Sequence, residues 1–529
     1  MIYYACIEKA SSKAFSSVRT GIITIALVVM LAHAPGTSRA GPAVHWFGND
    51  ARSAAMGGSG IALGSGLSNL LINPAAMSFA PAGVWIGFSA VPGWMEIDPE
   101  DRDSAYDIPE SIYEANPVIW GKDRPLPSNL LEEDRSSSYK TGTSWLLNIG
   151  VIGSFDVEGL RAGIGFTTSL PSLVSFNTWY NDEREQYFSG RLHFERFGEF
   201  DEVMTFYPGV SYSPLDWLSL GFSLKIDMNM GLGSSLLLPE GSEWEYAYIN
   251  PDGDVAPAFR PIAGVAFRTP IDLFIGLVYR HFSYTNIDLD VDIKVWNGER
   301  EDPDTGELKK VFHQDHTLVL GYVPREVALG LGYVYGPFSV EASAAWEQWS
   351  EYRDHHGNDF NHPTTDPDDN IEKEGWDSDW KDPEFSDIFS FRAGAEWWIV
   401  DFVSVRAGTG YFPSPMPEQT GRYNYVDNDL VLYSIGTGFR FELFEITFTV
   451  DVAAQLWQML SLEVSKLGPD ALSKEEGGLI DEVPDTAVDY NGDRLEGARG
   501  FQSNNPGFPG YSFGGLLLNT ALTLGMEFN

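Results

Sequence analysis

The chain has one cysteine in 529 residues, and that one, Cys6, stands almost at its beginning. Once the leading segment is removed there is no thiol, which excludes disulfide bridges and thiolate metal sites. Basic residues are scarce too: 34 Lys plus Arg face 75 Asp plus Glu, a formal net charge of −41. A surface of that sign cannot hold the phosphate backbone by charge, so no nucleic-acid partner is expected. After residue 40 no apolar run approaches the roughly 20 residues of a spanning helix. The histidines number nine and fall mostly near the start or in polar stretches, as His355, His356 and His362 do. His281 is in a strand-like stretch, but between Arg280 and Phe282 it has no nucleophile motif beside it. There is neither a phosphate-binding loop nor a dinucleotide fingerprint. The expectation is a protein that is not an enzyme and needs no cofactor. What is plentiful is apolar and aromatic matter, 43% and 14% of residues, which excludes a disordered chain.

Residues 1–40 read as an export signal. Lys9, Lys13 and Arg19 precede an apolar run at 21–34, and Ser38 and Ala40 place small residues at the −3 and −1 positions of a cleavage site. Cleavage near Ala40 would remove Lys9, Lys13, Arg19, Arg39 and Glu8, taking the net charge from −41 to −44. An exported chain without a spanning helix is periplasmic, secreted, or an outer-membrane barrel.

Period-two alternation selects the barrel. Over 218–230 one face carries Leu218, Leu220, Phe222, Leu224, Ile226, Met228 and Met230, and the other Ser219, Gly221, Ser223, Lys225, Asp227 and Asn229. The runs at 444–456 and 516–528 repeat the pattern. A soluble sandwich also alternates, but these runs are as long as tilted membrane strands, their polar faces carry charge, and the last ends with Phe528 next to the terminus. We read fourteen antiparallel strands, near 83–91, 144–155, 160–171, 203–213, 217–231, 258–268, 272–285, 316–335, 338–350, 387–399, 402–412, 428–441, 444–458 and 513–528. Short turns at 156–159, 214–216, 269–271, 336–337, 400–401 and 442–443 alternate with long polar segments. Short turns belong to the periplasm and long loops to the outside. The expected organisation is therefore all-β: a signal peptide at 1–40, an N-terminal segment at 41–82 that is not strand-like, and a 14-stranded transmembrane barrel at 83–529.

Residues 48–63, GNDARSAAMGGSGIAL, followed by LINPAAM at 71–77, resemble the start of the FadL/TodX family of outer-membrane transport proteins. So do VPREVALGLGY at 323–333, AAWEQWSEY at 344–352, VSVRAGTGYFPSPMPE at 403–418 and LYSIGTGFRFE at 432–442, in the family's order. The resemblance implies that 41–82 folds into the lumen as a hatch. It also implies uptake of long-chain fatty acids or other hydrophobic molecules, including aromatic hydrocarbons. Substrate would meet a groove between extracellular loops, pass to an inner pocket, and leave sideways beside a kink in the third strand. Asn73, Pro74 and Ala75 match the hatch motif. Gly163 and Gly165, on the inner face of the third strand, and Pro171 at its outer end are the kink candidates, as residues that weaken a ladder.

Parity places Arg161, Lys225, Arg280, Arg392, Arg406 and Arg440 on inner faces, with the acids Asp227, Glu341, Glu396, Glu445 and Asp451. A fatty-acid carboxylate in an apolar pocket needs a cationic partner. Any of the six could serve, Arg161 and Arg406 first because glycines leave room beside them; interior ion pairing is the competing use. Phe176, Trp179, Tyr180, Leu236, Leu237, Leu238 and Trp244 are candidates for the loop groove, or for an interfacial girdle. The acidic stretches at 250–254, 366–387 and 485–496 match no calcium-loop spacing, so no metal site is expected. Outer-membrane lipid and lipopolysaccharide, the latter bridged by divalent ions, are the expected surroundings of a monomer. Two other functions fit a barrel of this kind: a protein-secretion accessory, and an open porin, which a hatch disfavours.

Overall fold

The computed structural model describes residues 50–100, 106, 143–170, 204–228, 232–233, 236–238, 246–255, 257–296, 310–352, 384–421, 425–444, 446–468, 478–479, 481, 483, 488–489, 491–495, 497–501 and 507–528. The export signal, Pro171, Phe176, Trp179, Tyr180, Trp244 and Glu445 lie outside them.

The strands, in chain order, are β1 (Ala82–Pro99), β2 (Thr143–Ser154), β3 (Leu160–Leu170), β4 (Met204–Leu215), β5 (Leu218–Met228), β6 (Leu232–Gly233), β7 (Leu236–Leu238) and β8 (Tyr246–Val255). They continue as β9 (Ala258–Arg268), β10 (Leu273–Arg280), β11 (Ser283–Trp296), β12 (Lys310–Val323), β13 (Arg325–Tyr335) and β14 (Phe338–Gln348). The last five are β15 (Ile388–Val400), β16 (Val403–Phe412), β17 (Leu430–Leu443), β18 (Ile446–Ser465) and β19 (Gly510–Phe528). Fourteen of them close into one antiparallel barrel, in the order β1–β5, β9, β10, β13–β19, with β19 returning to β1. The closing ladder pairs Ala82 with Phe528, so the apolar last strand completes the wall.

Alternation explains the wall's two faces. In β5, Leu220 and Phe222 are about half exposed on the outside, while Ser219, Ser223, Lys225 and Asp227 are buried inside. The outward apolar band continues with Leu277, Leu329, Leu331, Val340 and Ile435. Such a band is stable only in contact with lipid. Trp217, Tyr335, Phe338, Trp397, Phe402 and Phe441 stand exposed near the short turns, as an aromatic belt does at a bilayer interface. Phe338 stacks on Trp397 at 5.5 Å between centroids.

The strands depart from expectation in three respects. The strand read at 316–335 is two strands, broken at Pro324, and the strand read at 272–285 leaves the barrel after Arg280. Proline lacks the N–H that a continuing ladder requires. The segments read as loops at 232–257 and 286–315 also contain strands: β6, β7, β8 and β11, with β12, form a second five-stranded sheet at the long-loop end. Leu236, Leu237 and Leu238 are β7, paired to β8.

Candidate functional site

Between residue 50 and β1 the chain forms two short helices, α1 (Ala51–Ala55) and α2 (Asn69–Ile72), and 3-10 turns at Gly66–Ser68 and Pro74–Phe79. Asp50 caps α1, accepting the Ser53 N–H at 2.7 Å, and its second oxygen accepts that of Ser68 at 3.1 Å. One carboxylate thus ties the start of the segment to its middle.

This segment lies inside the barrel, seated on inward-facing glycines. A methyl group added at Gly150 would lie 2.0 Å from Leu67, at Gly221 2.2 Å from the Ala75 nitrogen, and at Gly264 2.1 Å from the Asn73 amide oxygen. At Gly276 it would meet the Ile61 carbonyl at 2.0 Å, at Gly394 the Met56 carbonyl at 2.4 Å, and at Gly408 the Gly57 nitrogen at 2.2 Å. At Gly221, Gly276, Gly394 and Gly408 backbone approaches backbone, and at Gly150 and Gly264 the Leu67 and Asn73 side chains fill the space. Hydroxyls and amides complete the seat: Ser219 donates to the Ala75 carbonyl, Ser223 to that of Leu70, Ser434 to that of Ala55 and Gln455 to that of Ala54. Glu341 accepts the backbone N–H groups of Gly60, Ala62 and Leu63 at 2.9, 3.0 and 2.8 Å. Burial leaves those donors no water, so the carboxylate is their partner.

Asn73, Pro74 and Ala75 act here as a stitch. Asn73 is fully buried and donates to the Ile61 carbonyl at 2.7 Å, while its oxygen accepts the Ala75 N–H at 3.1 Å. Pro74 occupies the first position of the 3-10 turn, where a missing N–H leaves nothing unpaired.

The six inward cations divide sharply. Arg406 is committed to the wall's own acids, Glu396 at 2.6 Å and Asp451 at 2.5 Å. Glu396 in turn binds Arg52 of the seated segment at 2.8 Å. Burial works against the Arg52 charge, but Glu396 outweighs it and holds that guanidinium above its ordinary pKa. Lys225 pairs with Asp227 at 2.9 Å. Arg280 pairs with Glu326 and donates to the Leu71 and Ile72 carbonyls, closing the end of α2. Arg161, Arg392 and Arg440 have no carboxylate within ion-pair reach among the described residues. Of these, Arg392 places its guanidinium 4.9 Å from the Phe412 ring centre. Arg406 is thus engaged in the interior ion pairing that competes with ligand binding.

Above the seated segment the lumen has two characters. Val91, Phe412, Leu430, Leu432, Trp457, Met459, Phe513 and Leu517 form one apolar cluster on β1 and β16–β19. Opposite them stand Lys225, Asp227, Arg260, Arg280, Glu326 and Glu347 on β5, β9, β10, β13 and β14. Arg392, on β15, is at the seam. Alternation revealed most of these faces but missed Arg260, because β9 is apolar on both sides; Arg52 escaped because the N-terminal segment has no period.

β3 is paired on both edges without a register shift. Gly165 makes room for the Tyr207 ring, which would stand 1.8 Å from an added methyl. Tyr207 is fully buried, its hydroxyl 3.0 Å from Thr167, which donates to Asn148 at 2.6 Å. Gly163 and Gly165 accommodate neighbouring residues, Gly163 the Val151 carbonyl and Ile152 and Gly165 the Tyr207 ring.

Residues 201–476, just over half of the chain, match the model of the outer membrane protein transport protein family (OMPP1/FadL/TodX). The chain belongs to that family. A FadL homologue from Pseudomonas aeruginosa is similar in structure, with 14% identity, a TM-score of 0.54, and coverage of 93% of this chain and 99% of that one. The P. putida toluene transporter TodX is similar at 13% identity and a TM-score of 0.50, over 91% of this chain and 99% of its own. At these identities the likeness concerns the fold. Among curated protein sequences none matches. Membership in the FadL/TodX family makes this a Gram-negative outer-membrane channel of the class that serves hydrophobic compounds.

Proposed function

We propose that this FadL/TodX barrel takes up long-chain fatty acids, or hydrophobic molecules with a similar anionic end, and that its N-terminal segment is the gate. The observation that carries the reading is the position of Arg392. Its guanidinium makes no direct ion pair among the described residues, with Glu326 and Glu347 acting on it only from a distance, and it is placed where the charged arc meets the apolar one. An acyl chain against Phe412 and Trp457 would put its carboxylate at Arg392, satisfying both ends of an amphiphile. The family's lateral exit requires β3 to open, and in this state the Tyr207–Thr167–Asn148 link holds it shut.

The test is oleate binding to the purified barrel and oleate uptake by cells that have this barrel alone. A charge-assisted hydrogen bond contributes about 1.5–3 kcal/mol, so Arg392→Gln should weaken oleate binding roughly 10- to 100-fold. Arg392→Lys should recover part of it, and an uncharged alkane of equal length should bind both variants alike. Unchanged oleate affinity in Arg392→Gln would remove the carboxylate from this reading.

A further inference from the structure

At the short-turn rim the wall carries a groove where the β4–β5 turn meets the β9–β10 hairpin. Its volume is about 550 Å³, within the range of ligand pockets, roughly 300–1,000 Å³. Trp217, Phe267, Pro270 and Ile275 supply apolar walls, and the Trp217 ring stacks on Phe267 at 6.3 Å between centroids. Phe267 and Ile275 share the parity of the exposed Phe259 and Leu277, so the groove is continuous with the lipid-facing band. The rest of its lining is polar: Asp216, Arg268 and Thr269 at the two turns. Arg268 pairs with Asp272 at 3.2 Å, and both side chains are about half exposed. An ion pair so exposed contributes little to stability and exchanges partners readily.

We propose that this groove holds a phospholipid of the periplasmic leaflet with a zwitterionic headgroup of the phosphatidylethanolamine kind. One acyl chain would lie against Trp217, Phe267 and Ile275. The headgroup follows from the charges. Arg268 shares the rim with Asp216 and Asp272, which repel a headgroup of net negative charge. A phosphate at Arg268 and an ammonium at Asp272 or Asp216 would split the existing pair and leave each of its members with a partner. Phosphatidylglycerol brings the phosphate without the ammonium and would leave Asp272 alone. The site lies on the outside of the wall and does not depend on what the barrel transports. On the inner side the same two strands seat the Asn73 stitch, Gly264 against the Asn73 amide and Gly276 against the Ile61 carbonyl. Bound lipid therefore braces the wall behind the gate.

The full-length barrel in detergent micelles would be titrated with dioleoyl-phosphatidylethanolamine or dioleoyl-phosphatidylglycerol and read by native mass spectrometry. One phosphatidylethanolamine should be retained, with a roughly three- to fivefold preference over phosphatidylglycerol, the size that contacts between exposed charges allow. Arg268→Gln should weaken retention of both lipids by a similar factor. Asp216→Asn combined with Asp272→Asn should keep the lipid and abolish the preference; asparagine tolerates the left-handed backbone at 272, φ 58°. Ile275→Trp, which fills the groove from the wall, should remove the retained lipid of either kind. Heat-modifiable migration in SDS gels reports that each variant is folded. Added phosphatidylethanolamine should raise its transition temperature in the parent and not in Ile275→Trp. No retained lipid, equal retention of the two lipids by the parent, or phosphatidylethanolamine undiminished in Arg268→Gln or Ile275→Trp would overturn the site. Oleate binding at Arg392 is read separately, so failure here leaves the uptake reading standing.

Discussion

Gly408→Val should produce a barrel that assembles but cannot seat its N-terminal segment. The Gly57 nitrogen lies 2.2 Å from where the first added carbon would stand, and Met56 and Gly57 backbone atoms surround it. Overpacking usually costs about 1–3 kcal/mol, and that range assumes side chains that can yield. Here the obstacle is backbone in a left-handed turn, with Gly57 at φ 74°, so relief requires the segment to leave. The wall itself keeps all its ladders. We expect normal heat-modifiable migration, long-lived open events in planar bilayers, and entry of hydrophilic antibiotics that the parent excludes. Gly153→Val is the matched control. It alters a wall glycine whose nearest neighbour would be 3.9 Å from the added carbon, and conductance should not change. Equal conductance of Gly408→Val and the parent would show that the segment does not obstruct the pore.

The second large effect separates structural charges from ligand-binding ones. Arg406→Met leaves Asp451 buried without its guanidinium and Glu396 with Arg52 alone. Removing one member of a buried ion pair costs about 3–5 kcal/mol, far more than an exposed pair contributes. The variant should lose its folded migration at a markedly lower temperature, while the oleate affinity of the protein that remains folded stays near the parent's. Arg392→Gln should do the reverse. If Arg406→Met weakens oleate binding without affecting stability, the assignment of the two arginines is exchanged.

The comparison of Arg406 with Arg392 also shows what the sequence could and could not reveal. Side-chain parity is a local property, so alternation in β5, β10, β15 and β16 placed both arginines on the inner face. Partner choice is not local. Glu396 and Asp451 are 10 and 45 residues from Arg406, and they meet it only because β15, β16, β17 and β18 are neighbours in the closed sheet. The glycines beside Arg406 suggested space for a ligand. Gly408 instead marks the approach of the N-terminal backbone, and Gly410 makes room for the Phe412 ring, the other established meaning of glycine in a strand. The second sheet was hidden for a different reason. At 287–293, Ile287, Leu289, Val291 and Ile293 alternate with Asp288, Asp290 and Asp292, a strand pattern inside a stretch whose acidity suggested a loop. Pro324 was the available signal that β12 and β13 are separate, and the apolar run across it concealed the break.

Hydrophobic substrate should pass only when the N-terminal segment moves. Ala55 of α1 and Ala453 of β18 are both buried in one alanine cluster, and the other end of the segment is joined covalently to β1. A disulfide between Ala55→Cys and Ala453→Cys would therefore pin the segment at both ends, in a chain whose single native cysteine is Cys6. Oleate uptake should stop in cells bearing the oxidised barrel and return after mild reduction. Uptake at the parent rate through a barrel shown to be fully cross-linked would contradict the account.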